Sequence, residues 1–452
     1  MTAAVAPIPA PAMPGGWLLG NLTQFAADPL AFLTRCQRER GEIVRIRLGW
    51  QRIIVVSQPD HIASILVNRD GHYRKRRIEF KALGTVIGAG LLTTDGEVWK
   101  QQRKLMQPLF AQQQLARYGP DMTTLTARQI ERWRPAARSQ EPLDITLGIT
   151  DLTLAIVAKT LLGTEFSATS TELKQAIVTA IQYADQFDQL ITLPPWIPTP
   201  KNRRFLKARA LLDSLVFQMI EQRRQRLDEG HDLLAVLVRA TDAETGQGMT
   251  NQTLRDQVMT FFLAGHETTA QALSWTLYLL AQHPEVQERV RAEAERVLGD
   301  RPPTCADLHD LEYTKQVVLE GMRLYPPVWA LAREVVHDHE LGGCRVPAGC
   351  EVMFSQWVMH RHPDYWEEPE RFDPERFSSA RSVGRSLGVY FPFGGGPRVC
   401  IGQTFSMVEL QLILPMILRA FRLELVADHP VTPATTITLR PTRGIHVRLF
   451  ER

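Results

Sequence analysis

From Leu254 to Leu280 the apolar residues recur at helical spacing, and no proline stands among them. One helix of about 27 residues, rising 1.5 Å at each, is ~40 Å long and can cross a domain of this chain's size. Its middle departs from its ends. Gly265-His266-Glu267-Thr268-Thr269 places a glycine and two β-branched threonines where a helix interior disfavours them, and a threonine hydroxyl there can bond the carbonyl one turn back. Such departures from local propensity tend to mark functional sites.

The remaining helical periodicity is spread through DLTLAIVAKTLLG (151–163), LLDSLVFQMIEQRRQRL (211–227) and EVQERVRAEAERVLG (285–299). Strand character is confined to a few places. GEIVRIRLGW and QRIIVVSQPD (41–60) form a predicted hairpin turning near Gly49, and short β segments return at 339–354 and 436–450. The fold class is therefore mainly α with a small β portion (α+β). ITLPPWIPTPKNRR (191–204) is the one strong internal Pro-rich break, expected as a loop between helices, and no internal repeat occurs. Residues 1–13, rich in Pro and Ala, are expected to be a flexible leader, with residues 14–452 a single domain.

Composition excludes several classes. The 452 residues are 44% hydrophobic and carry a net charge of +3, too little for general nucleic-acid binding. The leader has neither a basic n-region nor an apolar run of signal-peptide or membrane-span length, so a cytoplasmic protein without a transmembrane anchor is expected. Cys36, Cys305, Cys344, Cys350 and Cys400 are odd in number and lack CxxC spacing, which argues against a disulfide framework or a zinc site.

Cys400 stands apart. It follows Gly394, Gly395 and Gly396, precedes Gly402, and leads into the apolar segment ending LQLILPMILRAF, so a helix is expected to begin just after it. A helix N-terminus favours thiolate over thiol, and the glycines let backbone approach something large and flat. Such a sulfur is a metal ligand or a nucleophile. A nucleophile needs a nearby base, which the local sequence does not supply, whereas haem takes a single protein thiolate. The plainer alternative is a buried structural cysteine.

FGGGPRVCIG, Phe393 to Gly402, resembles the FxxGxRxCxG haem-binding signature of the cytochrome P450 family of haem-thiolate monooxygenases, matching it at Phe393, Gly396, Arg398, Cys400 and Gly402. The type resembled is soluble and bacterial, without a fused reductase. The resemblance implies the family fold, with a long central helix over haem b (iron protoporphyrin IX) and Cys400 as the proximal ligand of the iron.

Three further stretches carry the likeness. LEGMRLYPP (319–327) is similar to the ExxR motif and FDPERF (372–377) to the segment that completes a Glu-Arg-Arg network, so Glu320, Arg323 and Arg376 are expected to support the cysteine loop structurally. Taken alone, a Glu/Arg pair three apart is common on helix surfaces. FFLAGHETTAQALSW (261–275) resembles the distal (A/G)GxxTT element. By that likeness Thr268 and Glu267 deliver protons during dioxygen activation, while Ala264 and Gly265 leave room for oxygen and substrate. The alternative for Thr268 is a hydroxyl bonded to its own helix, and His266 is expected to face solvent or a polar network. EVWKQQRKLMQPLF (97–110) looks like the WxxxR helix, so Trp99 and Arg103, with Arg333 and Arg398, are the implied partners of the haem propionates. For Lys100 and Lys104 scattered surface charge is the equal alternative.

These parts imply insertion of one atom of dioxygen into an unactivated C–H bond of a lipophilic small molecule, with fatty acids or terpenoids favoured. No flavin, dinucleotide or Fe–S fingerprint occurs, GAGLLTTDG (88–96) being no GxGxxG. A monomer receiving electrons from a separate ferredoxin or flavodoxin with an NAD(P)H-dependent reductase is implied, docking near Lys100, Lys104 and Arg398. The basic run HYRKRR (72–77) is expected as solvated surface. IGAGLL (87–92), FFLAG (261–265) and PPVWAL (326–331) line either the pocket or the core. A peroxide-driven haem-thiolate peroxygenase or isomerase, or a haem sensor, is the alternative; substrate identity and regioselectivity are beyond sequence.

Overall fold

The computed structural model describes residues 8–75, 83–163, 171–184, 194–226, 232–241, 246 and 248–452. The chain falls into two compact units, Met1–Ile78 with Leu319–Cys400, and Glu79–Val318 with Ile401–Arg452.

The first unit is built on a five-stranded sheet in the order Ile43–Leu48, Gln51–Val56, Glu351–Phe354, Leu331–Val335, Tyr73–Lys75. The expected hairpin is present: Leu48 pairs with Gln51, leaving Gly49 and Trp50 as a two-residue turn. Gly49 takes φ +62°, the positive value that the first position of such a turn requires. Neighbouring residues of the second strand point to opposite faces. Ile54 and Val56 join Val352, Phe354 and Phe391 in one core cluster, while Ile53 and Val55 join Val44, Ile46, Phe32 and Cys36 in another. Both faces are covered, which is why IIVV reads as a continuous apolar run rather than an alternating one.

The leader needs correction in its described part. Ile8–Pro9 pairs in parallel with Cys344 and Arg345, Met13 N donates to Arg45 O, and Ala10 and Met13 are buried. The Pro/Ala alternation does hold this stretch extended, but an extended strand can be docked as readily as solvated. Residues 1–7 lie outside the described part.

The second unit is helical around the long helix Asn251–Gln282, whose N-cap Thr250 accepts from Thr253 N. It exceeds the expected span because a polar first turn precedes the apolar run. Ile145–Leu162 packs along it and is long and apolar enough to cross a membrane, yet 56% of that window is buried inside the protein; it serves as a core helix. Pro284–Leu298 and Gln403–Ala420 match expectation. Pro200–Gln225 starts earlier than expected, with Thr199 as N-cap and Pro200 at its first turn. PKNRR therefore opens a helix, because proline is accepted where the N–H has no partner to lose. Within 191–204 only residues 194–199 are described loop, residues 191–193 lying outside the described part. In HYRKRR, Tyr73–Lys75 is an edge strand, and residues 76 and 77 lie outside the described part.

Candidate functional site

The cysteine loop belongs to the first unit. Gly394 and Gly396 have φ +70° and +62°, and a Cβ on Gly396 would lie 2.2 Å from Leu66 O, so no other residue fits there. The loop closes on itself: Gly394 N donates to Phe391 O, Val399 N to Gly396 O, and Cys400 N to Phe393 O at 3.0 Å. Cys400 is exposed at its end, and the next helix starts at Gln403 with Gly402 as N-cap. All five cysteines lie within the described residues. Burial pushes the thiols of Cys36 and Cys350 up to about 12 and about 11, and also raises those of Cys305 and Cys344. Cys400 is the cysteine presented for ligation.

Glu320, Arg323 and Arg376 come together beneath this loop's flank. The Arg323 guanidinium reaches both Glu320 oxygens, at 2.7 and 2.8 Å, and also donates to the carbonyls of His360, Pro369 and Arg371. Arg376 Nε stands 3.4 Å from Glu320 Oε1, which also accepts from Asp373 N. The buried Glu320–Arg323 pair is stable because the Arg323 Nε, Nη1 and Nη2 all have acceptors, since an isolated buried charge is prohibitive; Arg376 Nε makes an ion pair with Glu320 but no hydrogen bond. Two residues that sequence reasoning missed connect this network to the loop. His360 Nε2 accepts from Phe391 N, and Tyr390 Oη donates to Leu319 O. Burial and the neighbouring cations Arg323 and Arg361 hold His360 well below the ordinary histidine range, so it stays neutral and can accept. Arg333, on the Leu331–Val335 strand, and Arg398, just before Val399, are half-buried in this same unit.

In the second unit the long helix is buried at every position from Leu254 to Leu280 except Ala264, Gly265, Thr268 and Tyr278. The first three lie on adjoining turns and form an opening in the middle of the helix, between the buried runs Leu254–Leu263 and Thr269–Leu277. The Thr268 hydroxyl donates to Ala264 O at 2.7 Å. This is the local bond expected of a helix threonine, and it leaves the oxygen able to accept from another donor. Gly265 does more than leave room. A Cβ there would stand 3.2 Å from Val157 Cγ2, so the glycine lets the Ile145–Leu162 helix approach closely.

Glu267 is buried and tied to three donors. Arg440 Nε at 2.8 Å, Thr438 Oγ1 at 2.9 Å and Gln271 Nε2 at 3.0 Å all address its Oε1. Thr438 and Arg440 sit about 170 residues away in sequence, so no local signal could have found them. His266 does not face solvent. It is buried, its Nδ1 lies 2.7 Å from Phe262 O, and burial lowers its pKa; the Ile145–Leu162 helix covers it, Thr153 Oγ1 donating to His266 O.

Trp99 and Arg103 lie on the Gly96–Met106 helix of the second unit, both half-buried. Lys100 is exposed and paired with Glu97 at 2.7 Å, which offsets the local positive potential assigned to it. Lys104 is exposed. Of the candidate lining, Ile87, Leu91, Phe261, Phe262 and Leu263 are buried, whereas Val328, Trp329, Ala330 and Leu331 are half-buried. IGAGLL is anchored to the long helix: Ala89 N donates to Asp256 Oδ2 and Leu91 N to Gln257 Oε1.

Residues 10–448 match the family model described as Cytochrome P450. The chain belongs to the cytochrome P450 family. It is 36% identical to cyclooctat-9-en-7-ol 5-monooxygenase of Streptomyces melanosporofaciens, over 93% of this chain and 89% of that protein. It is 30% identical to pentalenene oxygenase of Streptomyces avermitilis, over 96% of each. The crystal structure of the cytochrome P450DA heme domain superposes with a TM-score of 0.91 at 27% identity, covering 99% of this chain and 98% of that one. This cytochrome P450 is accordingly a monooxygenase with haem as cofactor. The donor set fits the group, since Cys400 is a single exposed sulfur on a glycine-shaped loop closed by three backbone hydrogen bonds.

Proposed function

We propose that this cytochrome P450 hydroxylates a terpenoid, with Cys400 as the residue that would hold the haem iron and Thr268 and Glu267 as the proton-handling pair. The observation that carries the site assignment is the opening at Ala264, Gly265 and Thr268 in a helix sealed on both sides of it. The names of the two relatives favour the terpenoid over the fatty-acid class. Haem held by a thiolate supplies the activation of dioxygen for insertion of one oxygen atom into a C–H bond. Phe393 and Gly402 bracket Cys400 in the motif, and Trp99, Arg103, Arg333 and Arg398 would offset the propionate charges, which need cations if they are to be buried.

Thr268, its own proton directed to Ala264 O, presents an oxygen that accepts a donor at the opening. Glu267 lies one residue before it and meets Arg440, whose side chain keeps 27% of its surface exposed. Proton supply from solvent enters by that end of the pair. Electrons come from a separate ferredoxin or flavodoxin with an NAD(P)H-dependent reductase, and residues 14–452 act as one cytoplasmic, monomeric domain.

The test combines a binding screen with isotope labelling. Cyclic terpenoid hydrocarbons and alcohols should shift the haem spin state at lower concentration than C12–C18 fatty acids. With NAD(P)H and surrogate redox proteins, the product should carry one atom of labelled dioxygen. Tighter fatty-acid binding would overturn the substrate class, and efficient turnover with peroxide alone would favour the peroxygenase.

A further inference from the structure

In the first unit, two loops expose apolar side chains beside each other. Trp17 is 92% exposed, Leu18 69% and Trp50 81%. Leaving such residues in water forfeits their burial energy.

These side chains are held in place. The loop from Pro14 to Asn21 is closed by Gly16 N donating to Gly20 O, Gly20 N to Gly16 O, and Asn21 Nδ2 to Pro14 O at 2.8 Å. Gly20 has φ +61°, and a Cβ there would lie 2.3 Å from Arg47 O. The Arg47 guanidinium then spans both loops, donating to the carbonyls of Gly16, Trp17, Leu18 and Gly49, while Gly49 N donates to Leu19 O. One arginine thus presents Trp17 and Trp50 on neighbouring backbone.

The charged side chains on the two chain segments that carry these loops have one sign. Residues 10–27 contain no charged side chain, and residues 43–56 contain Arg45, Arg47 and Arg52 and no carboxylate. Arg45 and Arg52 are exposed, and Arg47 stands directly opposite Arg52 in the hairpin register. Like charges facing each other across strands destabilise a hairpin. An anionic surface outside the protein would offset that repulsion.

We propose that Trp17, Leu18 and Trp50, flanked by Arg45 and Arg52, dock this protein reversibly on an anionic lipid bilayer. Indole rings partition to the boundary between head groups and acyl chains, and each nearby arginine adds attraction to anionic lipid. A shallow apolar patch combined with basic residues gives peripheral binding without a spanning helix.

The experiment is vesicle flotation of the full-length holoenzyme with equimolar phosphatidylglycerol and phosphatidylcholine, and with phosphatidylcholine alone. Wild-type protein should float with the anionic vesicles, less so as salt rises. Trp17→Ser/Trp50→Ser should weaken binding to both vesicles by about tenfold or more. Arg45→Gln/Arg52→Gln should remove the preference for the anionic ones. Unchanged Soret spectra and melting temperatures show that each variant is folded. Failure of the wild type to float, or variants that float like it, overturns the proposal. So does a wild-type dimer that Trp17→Ser/Trp50→Ser dissociates while vesicle binding is unchanged, which gives the patch to a second copy. Loss of reduction by an acidic ferredoxin in that variant, with vesicle binding intact, gives it to a protein partner instead.

Discussion

Arg440 Nε lies 2.8 Å from Glu267 Oε1, joining the middle of the long helix to the strand Leu439–Pro441 near the chain's end. The same oxygen accepts from Thr438 and Gln271, so one buried oxygen gathers three donors. Removing the cation leaves a buried carboxylate with neutral partners only. Arg440→Leu is expected to lower stability by about 1–3 kcal/mol, below the cost at a fully buried pair because Arg440 is partly solvated. It should also raise peroxide release relative to product, and Arg440→Lys should recover part of both. Thermal melting and product-to-peroxide ratios check this.

At Thr268 the hydroxyl and the side-chain shape can be separated. Thr268→Ala and Thr268→Val lose the oxygen, while Thr268→Ser keeps it and its bond to Ala264 O. The peroxide-to-product ratio should rise about tenfold or more in the first two and stay near wild type in the third. Equal coupling in all three would remove Thr268 from proton handling.

Arg323 serves both oxygens of Glu320 and three carbonyls from a site with no solvent access. Arg323→Leu leaves Glu320 buried opposite Arg376 alone and is expected to cost about 3–5 kcal/mol. Arg323→Lys should fare little better, because an ammonium offers three donors where the guanidinium offers five. Haem content after expression and the melting temperature of whatever folds are the measurements.

Burial lowers the pKa values of both His266 and His360 below 6.5. Above that value the two histidines are neutral whether folded or not, and their contribution is pH-independent. As pH falls below about 6.5 the unfolded chain takes up protons that the folded one refuses, so stability is lost with acidification, by up to about 1.4 kcal/mol per pH unit for each histidine. Denaturant unfolding between about pH 5 and 7 should show this slope, and His360→Gln, which can still accept from Phe391 N, should flatten it.

Glu409 gives the opposite sign. It is fully buried on the Gln403–Ala420 helix, and desolvation raises its pKa well above 4.5. Folded, it stays protonated where the unfolded chain ionises, so stability is lost as pH rises above about 4.5. Glu409→Gln should therefore stabilise the protein at pH 7 and leave it little changed at pH 4, as read by melting temperature.

Replacing Cys400 by serine should abolish the thiolate signature of the reduced carbon monoxide complex while leaving the fold measurable by circular dichroism. An unaltered spectrum would remove Cys400 as the ligand.

Local sequence determined a good deal here. Gly396 was legible as one of a run of glycines that let backbone approach closely, and its φ of +62° and approach to Leu66 O exclude a side chain; the long helix was legible because the apolar periodicity from Leu254 to Leu280 runs without a proline. The pairing of Glu320 with Arg323 was legible because helix geometry alone brings residues three apart together. Tertiary structure decided what spacing cannot express. Arg440 and Thr438 reach Glu267 across about 170 residues, His360 meets Phe391 from 31 residues away, and the leader's described end is paired with Cys344 and Arg345 rather than solvated. The reason is the same in each case. Periodicity and propensity act over one or two turns, whereas a buried polar group takes whichever partner the packing brings within 3 Å, from any distance along the chain.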